Sequence, residues 1–335
     1  MTTKSILLFL YISIISYAVL GQDSEVDSLV SIGVVFHDQG EYDNAIETYL
    51  EALEIDPNSS LANYEIAYSY LENGNYENAE KYCKIVLDLD NGNQLPAYVC
   101  YGNALDMQGK TNKAIKIYES AIKKYDHYLL YYNHALTCFN NGKTEKAYES
   151  AINAINNNPS HASSHLILSK IMESEGIRIK AMLPLYFFLL IEPDSERSEI
   201  EYQRLRNYID QGVDKTSPNN INVTVPMNND PDFGAAEMMI SLSKASDSIE
   251  ENQGKSELEL FAENNDNLFT ILGELKKDNS GFWWDFYVPF FYDLAKENLT
   301  DIYSYYISQS LGDEAINWID ENSEEFERFR VWLEQ

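Results

Sequence analysis

Hydrophobic positions in the first half of the chain recur at the three- and four-residue spacing of amphipathic helices. Leu29, Ile32, Gly33 and Phe36 share one helical face, and Gly40 interrupts it. Ala45, Tyr49 and Ala52 then continue in a second helix that stops near Pro57, because proline cannot supply the N–H that the helical ladder needs. This hairpin pattern repeats. Gly40, Gly74, Gly109, Gly142 and Gly176 lie 34, 35, 33 and 34 residues apart, and Ala45, Ala79, Ala114, Ala147 and Ala181 each follow their glycine by five. Twelve residues beyond three of these alanines stand Pro57, Pro159 and Pro193, with Asn91 and Asp126 at the other two places. Such periodicity predicts helix hairpins that bury their apolar faces against each other, since no single hairpin can do so alone.

The eight residues Leu29, Ile32, Gly33, Phe36, Ala45, Tyr49, Ala52 and Pro57 resemble the signature of the tetratricopeptide repeat. The second unit gives Ile66, Ala67, Tyr70, Ala79, Cys83 and Val86, and the third Tyr98, Tyr101, Gly102, Leu105, Ala114, Tyr118 and Ala121. Ala135, Cys138, Ala147, Ala151, Ala154 and Pro159 mark the fourth. Leu168, Ser169, Met172, Ala181, Leu185, Phe188 and Pro193 mark the fifth. The resemblance runs from about Val26 to Asp194 and implies an all-α fold, a right-handed α-solenoid of about five hairpins. It further implies a concave groove lined by the first helix of each repeat, at positions four apart. Those positions are Val30 with Val34, Tyr64 with Tyr68, Val99 with Asn103, Tyr132 with Leu136, and Leu166 with Lys170. Such a groove is mainly apolar and aromatic. The Lys and Asn clamp that some members use for a C-terminal carboxylate is missing, because Val30, Val34, Glu65, Pro96 and Cys100 stand at its places.

Beyond the repeats, Arg197 to Ile209 reads as a helix that caps the last hairpin. Residues 211–234 turn to Pro, Asn, Asp and Gly, interrupted by Pro218, Pro226 and Pro231, and read as a linker or irregular loop. Apolar periodicity returns in Ala235–Glu251, Ser256–Lys277, Phe282–Glu297, Leu299–Leu311, Asp313–Asp320 and Ser323–Leu333, without the repeat's glycines. The expected organisation is therefore a signal peptide over residues 1–21, a solenoid with its cap over 22–210, a linker over 211–234 and a separate helical module over 235–335. Phe282, Trp283, Trp284, Phe286, Tyr287, Phe290, Phe291 and Tyr292 crowd one helix around Pro289. That helix reads as the core of a small domain, or as docked on the repeats, rather than as an aromatic binding surface, since helices apolar all round are buried.

The signal peptide rests on Lys4, the apolar run Ile6–Leu20 and the small residues before Gln22, with Ser16 and Ala18 as a second exit. The run is short for a membrane span, and Gln22 stands where a lipid-anchored protein would carry cysteine. The expected location is the periplasm or the outside of a cell. Asn58, Asn222 and Asn298 head N-x-S/T sequons, which matter only on a eukaryotic secretory route. Cys83, Cys100 and Cys138 have no short spacing and read as buried thiols, with one disulfide left open.

Charge narrows the partners. The chain holds 54 acidic and 24 basic residues, net −30, which excludes the basic surface needed for nucleic acid or an anionic membrane. Residues 211–335 carry 25 acidic and 8 basic side chains, net −17, against 29 and 16, net −13, for residues 1–210. A basic partner is therefore expected on the C-terminal module or the convex faces. Glycine-rich phosphate loops, the nucleophile elbow and H-E-x-x-H are all absent. Asp88, Asp90 and Gly92 fail as a calcium loop, because the glycine comes one place early and Val99 replaces the bidentate Glu. His161 and His165, four apart on one helix, have no third ligand near them and read as surface or cap residues rather than a metal pair. No catalytic residue, cofactor or metal is expected. The chain reads as a non-enzymatic scaffold that binds other proteins or peptide segments in its groove. The alternatives are an assembly subunit whose groove its own C-terminal module fills, or an enzyme acting through that module.

Overall fold

The hairpin periodicity becomes helices in the computed structural model, which describes residues 25–217, 220–225 and 230–334. The expected leader, Pro218 and Pro226 lie outside the described residues. The described chain forms two units, the first ending at Ser150 and the second beginning at Ala151. In the first lie α1 (25–38), α2 (Tyr42–Ile55), α3 (Ser60–Glu72), α4 (Tyr76–Leu89), α5 (Gln94–Met107), α6 (Thr111–Tyr125) and α7 (Tyr128–Asn140). Helix α8 (Thr144–Asn157) contains the boundary. The second unit holds α9 (Ala162–Ser174), α10 (Arg178–Ile191), α11 (Glu196–Asp210), α12 (Gly234–Ser246), α13 (Glu257–Leu275), α14 (Val288–Lys296), α15 (Thr300–Tyr306), α16 (Asp313–Glu321) and α17 (Ser323–Leu333). The fold is all-α, an α-solenoid of helix hairpins followed by a further helical module.

The repeat glycines turn each hairpin. Gly40, Gly74, Gly109, Gly142 and Gly176 all hold φ between 68° and 76°, a conformation that side chains with a Cβ resist. At the first corner Gly40 N donates to His37 O and Glu41 N to Phe36 O, both at 2.9 Å, which closes the last open carbonyls of α1. The third corner repeats the pair from Gly109 to Asp106 and from Lys110 to Leu105, both at 2.8 Å. Where the repeat lacks its proline, an aspartate ends the second helix instead. Asp90 after α4 and Asp126 after α6 adopt left-handed φ of 47° and 40°.

Within the first unit, Val26, Val30, Ala45, Tyr49, Ala52, Ala62 and Ile66 share one apolar cluster, and Leu105, Ala114, Tyr118, Ala121 and Leu130 share another. Each cluster draws residues from one hairpin and the first helix of the next, the packing rule of a stacked solenoid. Ile32 departs from its expected place. It is 47% exposed, whereas Ile66, its counterpart one repeat on, is fully buried against the first hairpin. Among the described residues no helix precedes α1 to cover Ile32 as the first hairpin covers Ile66.

In the second unit, α10 is apolar on nearly all sides and is covered by the helices that follow. Tyr186 is fully buried among Phe269, Phe291 and Tyr303. Its hydroxyl donates to Asn265 Oδ1 at 2.5 Å, Asn265 Nδ2 donates to Ser304 Oγ at 2.9 Å, and Tyr303 OH donates to the Tyr186 carbonyl at 2.9 Å. Arg178, at the start of α10, is also buried. Its guanidinium pairs with Glu237 at 3.4 Å, donates to Ser241 Oγ at 2.9 Å, and reaches the carbonyls of Tyr208 and Ile209 at 2.7 and 3.2 Å. One cation thus ties α10 to the end of α11 and to α12. The fifth hairpin and the C-terminal helices therefore share a single core.

The aromatic run is part of that core. Trp283, Trp284, Tyr287 and Phe291 are buried, and Trp284 stacks on Phe233 at 4.5 Å. Trp283–Tyr287 forms a π turn that ends two residues before Pro289, a widening that suits a residue without an N–H to donate. The segment read as an irregular linker carries local order as well. Val213–Ser217 and Asn220–Val223 pair antiparallel, with Val213 opposite Val223. A further correction concerns the histidines. His161 stands at the N-cap position of α9, but His165 is fully buried rather than superficial. Its Nε2 donates to the Pro159 carbonyl at 2.8 Å and its Nδ1 accepts from Tyr287 OH at 2.6 Å, so the ring is held neutral between two partners. All three cysteines are buried and free.

Candidate functional site

The groove positions of the first unit divide into four settings. Val30 is buried in the first apolar cluster, with Val34 against its edge, so this pair mainly supports the hairpin. Val99 packs at the rim of the second cluster, and Asn103 Oδ1 accepts from Tyr118 OH at 2.6 Å. That bond fixes the amide of Asn103 toward the core of its own hairpin. Tyr132 and Leu136 on α7 are half-buried.

Tyr64 and Tyr68 form the most developed surface. One turn apart on α3, their rings stack at 6.2 Å with an interplanar angle of 6°. His37 extends the stack, lying 4.7 Å from Tyr68 at 27°, and meets Tyr42 edge-on at 5.2 Å. The imidazole is held by a 2.8 Å hydrogen bond between its Nδ1 and Ser69 Oγ. Four aromatic rings from α1, α2 and α3 thus line up, and Tyr68 remains 36% exposed. The inner end is drier. Tyr64 packs on Ala67, Cys83 and Cys100, and burial pushes its phenol pKa up. The Glu65 carboxyl is also raised, first by burial and then by the charge of Asp38.

His37 was not among the positions expected in the groove, although its spacing contains the signal. Val30, Val34 and His37 follow the four-then-three rhythm of one helical face, and the four-apart rule stops one turn short of it. In the second unit, Leu166 is buried in α9 and Lys170, one turn on, is exposed.

Stacked helix hairpins with glycine corners and partly exposed rings on their first helices define a helical-repeat protein. Residues 33–74 match a profile described as TPR repeat, and residues 61–93 and 101–127 match profiles described as tetratricopeptide repeat. The protein carries tetratricopeptide repeats, and in that class such repeats act as scaffolds for contacts between proteins. No curated protein matches the chain. Similar solved structures include YrrB, described as a TPR protein with an unusual peptide-binding site, at 17% identity over 57% of this chain and 97% of that one, with a TM-score of 0.41. MamA matches at 25% identity over 48% of this chain and 94% of its own, TM-score 0.42. Pilf of Pseudomonas aeruginosa matches at 20% identity over 57% and 91%, TM-score 0.48. Among the described residues, no helix is long and apolar enough to cross a membrane.

Proposed function

We propose that the first unit holds a segment of a partner protein against the rings of His37, Tyr64 and Tyr68. The observation that carries this reading is the stack itself. Aromatic side chains offer large contact area at little cost in conformational entropy, and here three of them are already ordered on two helices. The rings suit an apolar or aromatic segment. Glu65, poorly solvated and close to Asp38, disfavours a free C-terminal carboxylate at the same place, so the bound segment is an internal one. Val30, Val34, Val99, Asn103, Tyr132, Leu136, Leu166 and Lys170 are then supporting positions rather than anchors. The chain has no catalytic role in this reading, which places it outside the cytoplasm on the strength of Lys4 and the Ile6–Leu20 run.

The test is capture of partners by the full chain from the envelope fraction of its source, comparing wild type with Tyr64→Ala/Tyr68→Ala. Loss of a specific partner with unchanged helicity supports the groove. Undiminished capture refutes it.

A further inference from the structure

In the second unit an acidic recess lies between α13 and α15. A pocket of about 420 Å³ there is lined by Glu263, Asp266, Asn267, Asn298, Thr300 and Asp301. Three of the six are carboxylates. Asp266 and Asp301 have no basic partner among the described residues, and Glu263 pairs with Lys255. Asp301 feels the crowding, since its carboxyl is raised by desolvation and then by Asp266, Glu325 and Glu263. Thr300 provides a separate observation. It is only 2% exposed, it lines this pocket, and its Oγ1 is buried without a hydrogen-bond partner. A buried hydroxyl is normally satisfied, so an unpaired one on a residue that lines an acidic pocket calls for a missing partner.

The character of the partner follows from the arrangement. No group of three His, Cys, Asp or Glu side chains among the described residues is placed to hold a metal ion. An ammonium group has three N–H donors and no acceptor, and can share them between separated carboxylates and a hydroxyl. The adjoining pocket shares Glu263 and Asp301 and adds Tyr305 and Trp318, whose rings stack at 3.9 Å. That aromatic wall suits the methylene stem behind an ammonium head.

We propose that this pocket binds a primary alkylammonium group, either the Nζ end of a lysine on a partner protein or the end of a free polyamine. Lys255 is the chain's own rival for Glu263, so its removal frees an acceptor.

The full chain is titrated calorimetrically at physiological ionic strength with spermidine, with acetyl-Gly-Lys-Gly-amide and with Ca²⁺. Asp266→Asn/Asp301→Asn is expected to abolish amine binding, Thr300→Val to weaken it by about tenfold, and Thr300→Ser to retain it. Lys255→Ala is expected to tighten it. Glu47→Gln/Glu51→Gln on α2 removes the same charge elsewhere and leaves binding unchanged. Peptide binding at least as tight as that of spermidine assigns the ligand to a protein, and spermidine binding with a silent peptide assigns it to a polyamine. Equal loss in the α2 control reduces the effect to diffuse attraction and overturns the site. So do Ca²⁺ binding tighter than either amine and lost with Asp266 and Asp301, and unchanged affinity in a folded Thr300→Val. Should Thr300→Val unfold, Thr300→Ser and the paired aspartate variant decide alone.

Discussion

Tyr49 fills the space that a side chain at Gly33 would occupy. A Cβ added to Gly33 would lie 2.2 Å from Tyr49 Cε1, and one added to Gly102, two repeats later, would lie 2.2 Å from Tyr118 Cζ. The contact sets how closely the two helices of a hairpin approach. Gly33→Ala and Gly102→Ala should therefore each destabilise the first unit by about 1–3 kcal/mol, although alanine is the better helix former. The loss should be larger at Gly102, because Tyr118 is tied to Asn103 by its hydroxyl and has less freedom to move. Urea denaturation followed by circular dichroism measures both. A raised midpoint in either variant would show that the ring gives way.

Arg178 and Glu237 form a buried ion pair. Arg178→Met takes the guanidinium away from the Glu237 carboxylate, which keeps the Ile179 N–H donor at 3.3 Å, and should cost about 3–5 kcal/mol. The double variant Arg178→Met/Glu237→Met should recover part of this. Recovery stays incomplete because the guanidinium also satisfies the carbonyls of Tyr208 and Ile209. A double variant no more stable than the single one would assign the loss to those carbonyls rather than to the ion pair.

His165 links stability to pH. Burial lowers its pKa to about 4, below the ordinary value of 6.5, so the unfolded chain takes up this proton before the folded one does. Its contribution is present above about pH 6.5, declines as pH falls, and is gone below about pH 4. The difference in unfolding free energy between wild type and His165→Gln should shrink by roughly 3 kcal/mol across that window. A difference that stays flat would mean that the imidazole titrates normally in the folded protein.

Salt tests the proposed ring contact against the acidic surface. Contacts on the rings of Tyr64 and Tyr68 are apolar and should survive high ionic strength, whereas contacts on the net −17 charge of residues 211–335 should weaken as the Debye length shrinks. Repeating partner capture at low and high salt assigns the main contact. Complete loss of capture at high salt would move it away from the rings.

The hairpins were legible in the sequence because the same physical demand recurs five times. A left-handed corner needs glycine, a close crossing needs alanine, and both leave a mark at a fixed period. The C-terminal helices were legible as helices, but not their partner, since the contacts of Tyr186 with Asn265 and of Arg178 with Glu237 join residues far apart in the chain. His165 was misjudged for the same reason, because its partner Tyr287 lies 122 residues away. The hairpin at Val213–Ser217 is hidden by its own composition of turn residues and short strands. At the candidate site, the stack of Tyr64 and Tyr68 followed from helical spacing, while His37 joined it from another helix and Asn103 was drawn inward by Tyr118.

The five glycine corners make the hairpins interchangeable parts. Since each corner is closed by its own backbone hydrogen bonds, duplication or deletion of a whole repeat between two corners preserves every turn. The number of repeats, and with it the reach of the protein, can change by unequal recombination more readily than any single corner can tolerate a point substitution.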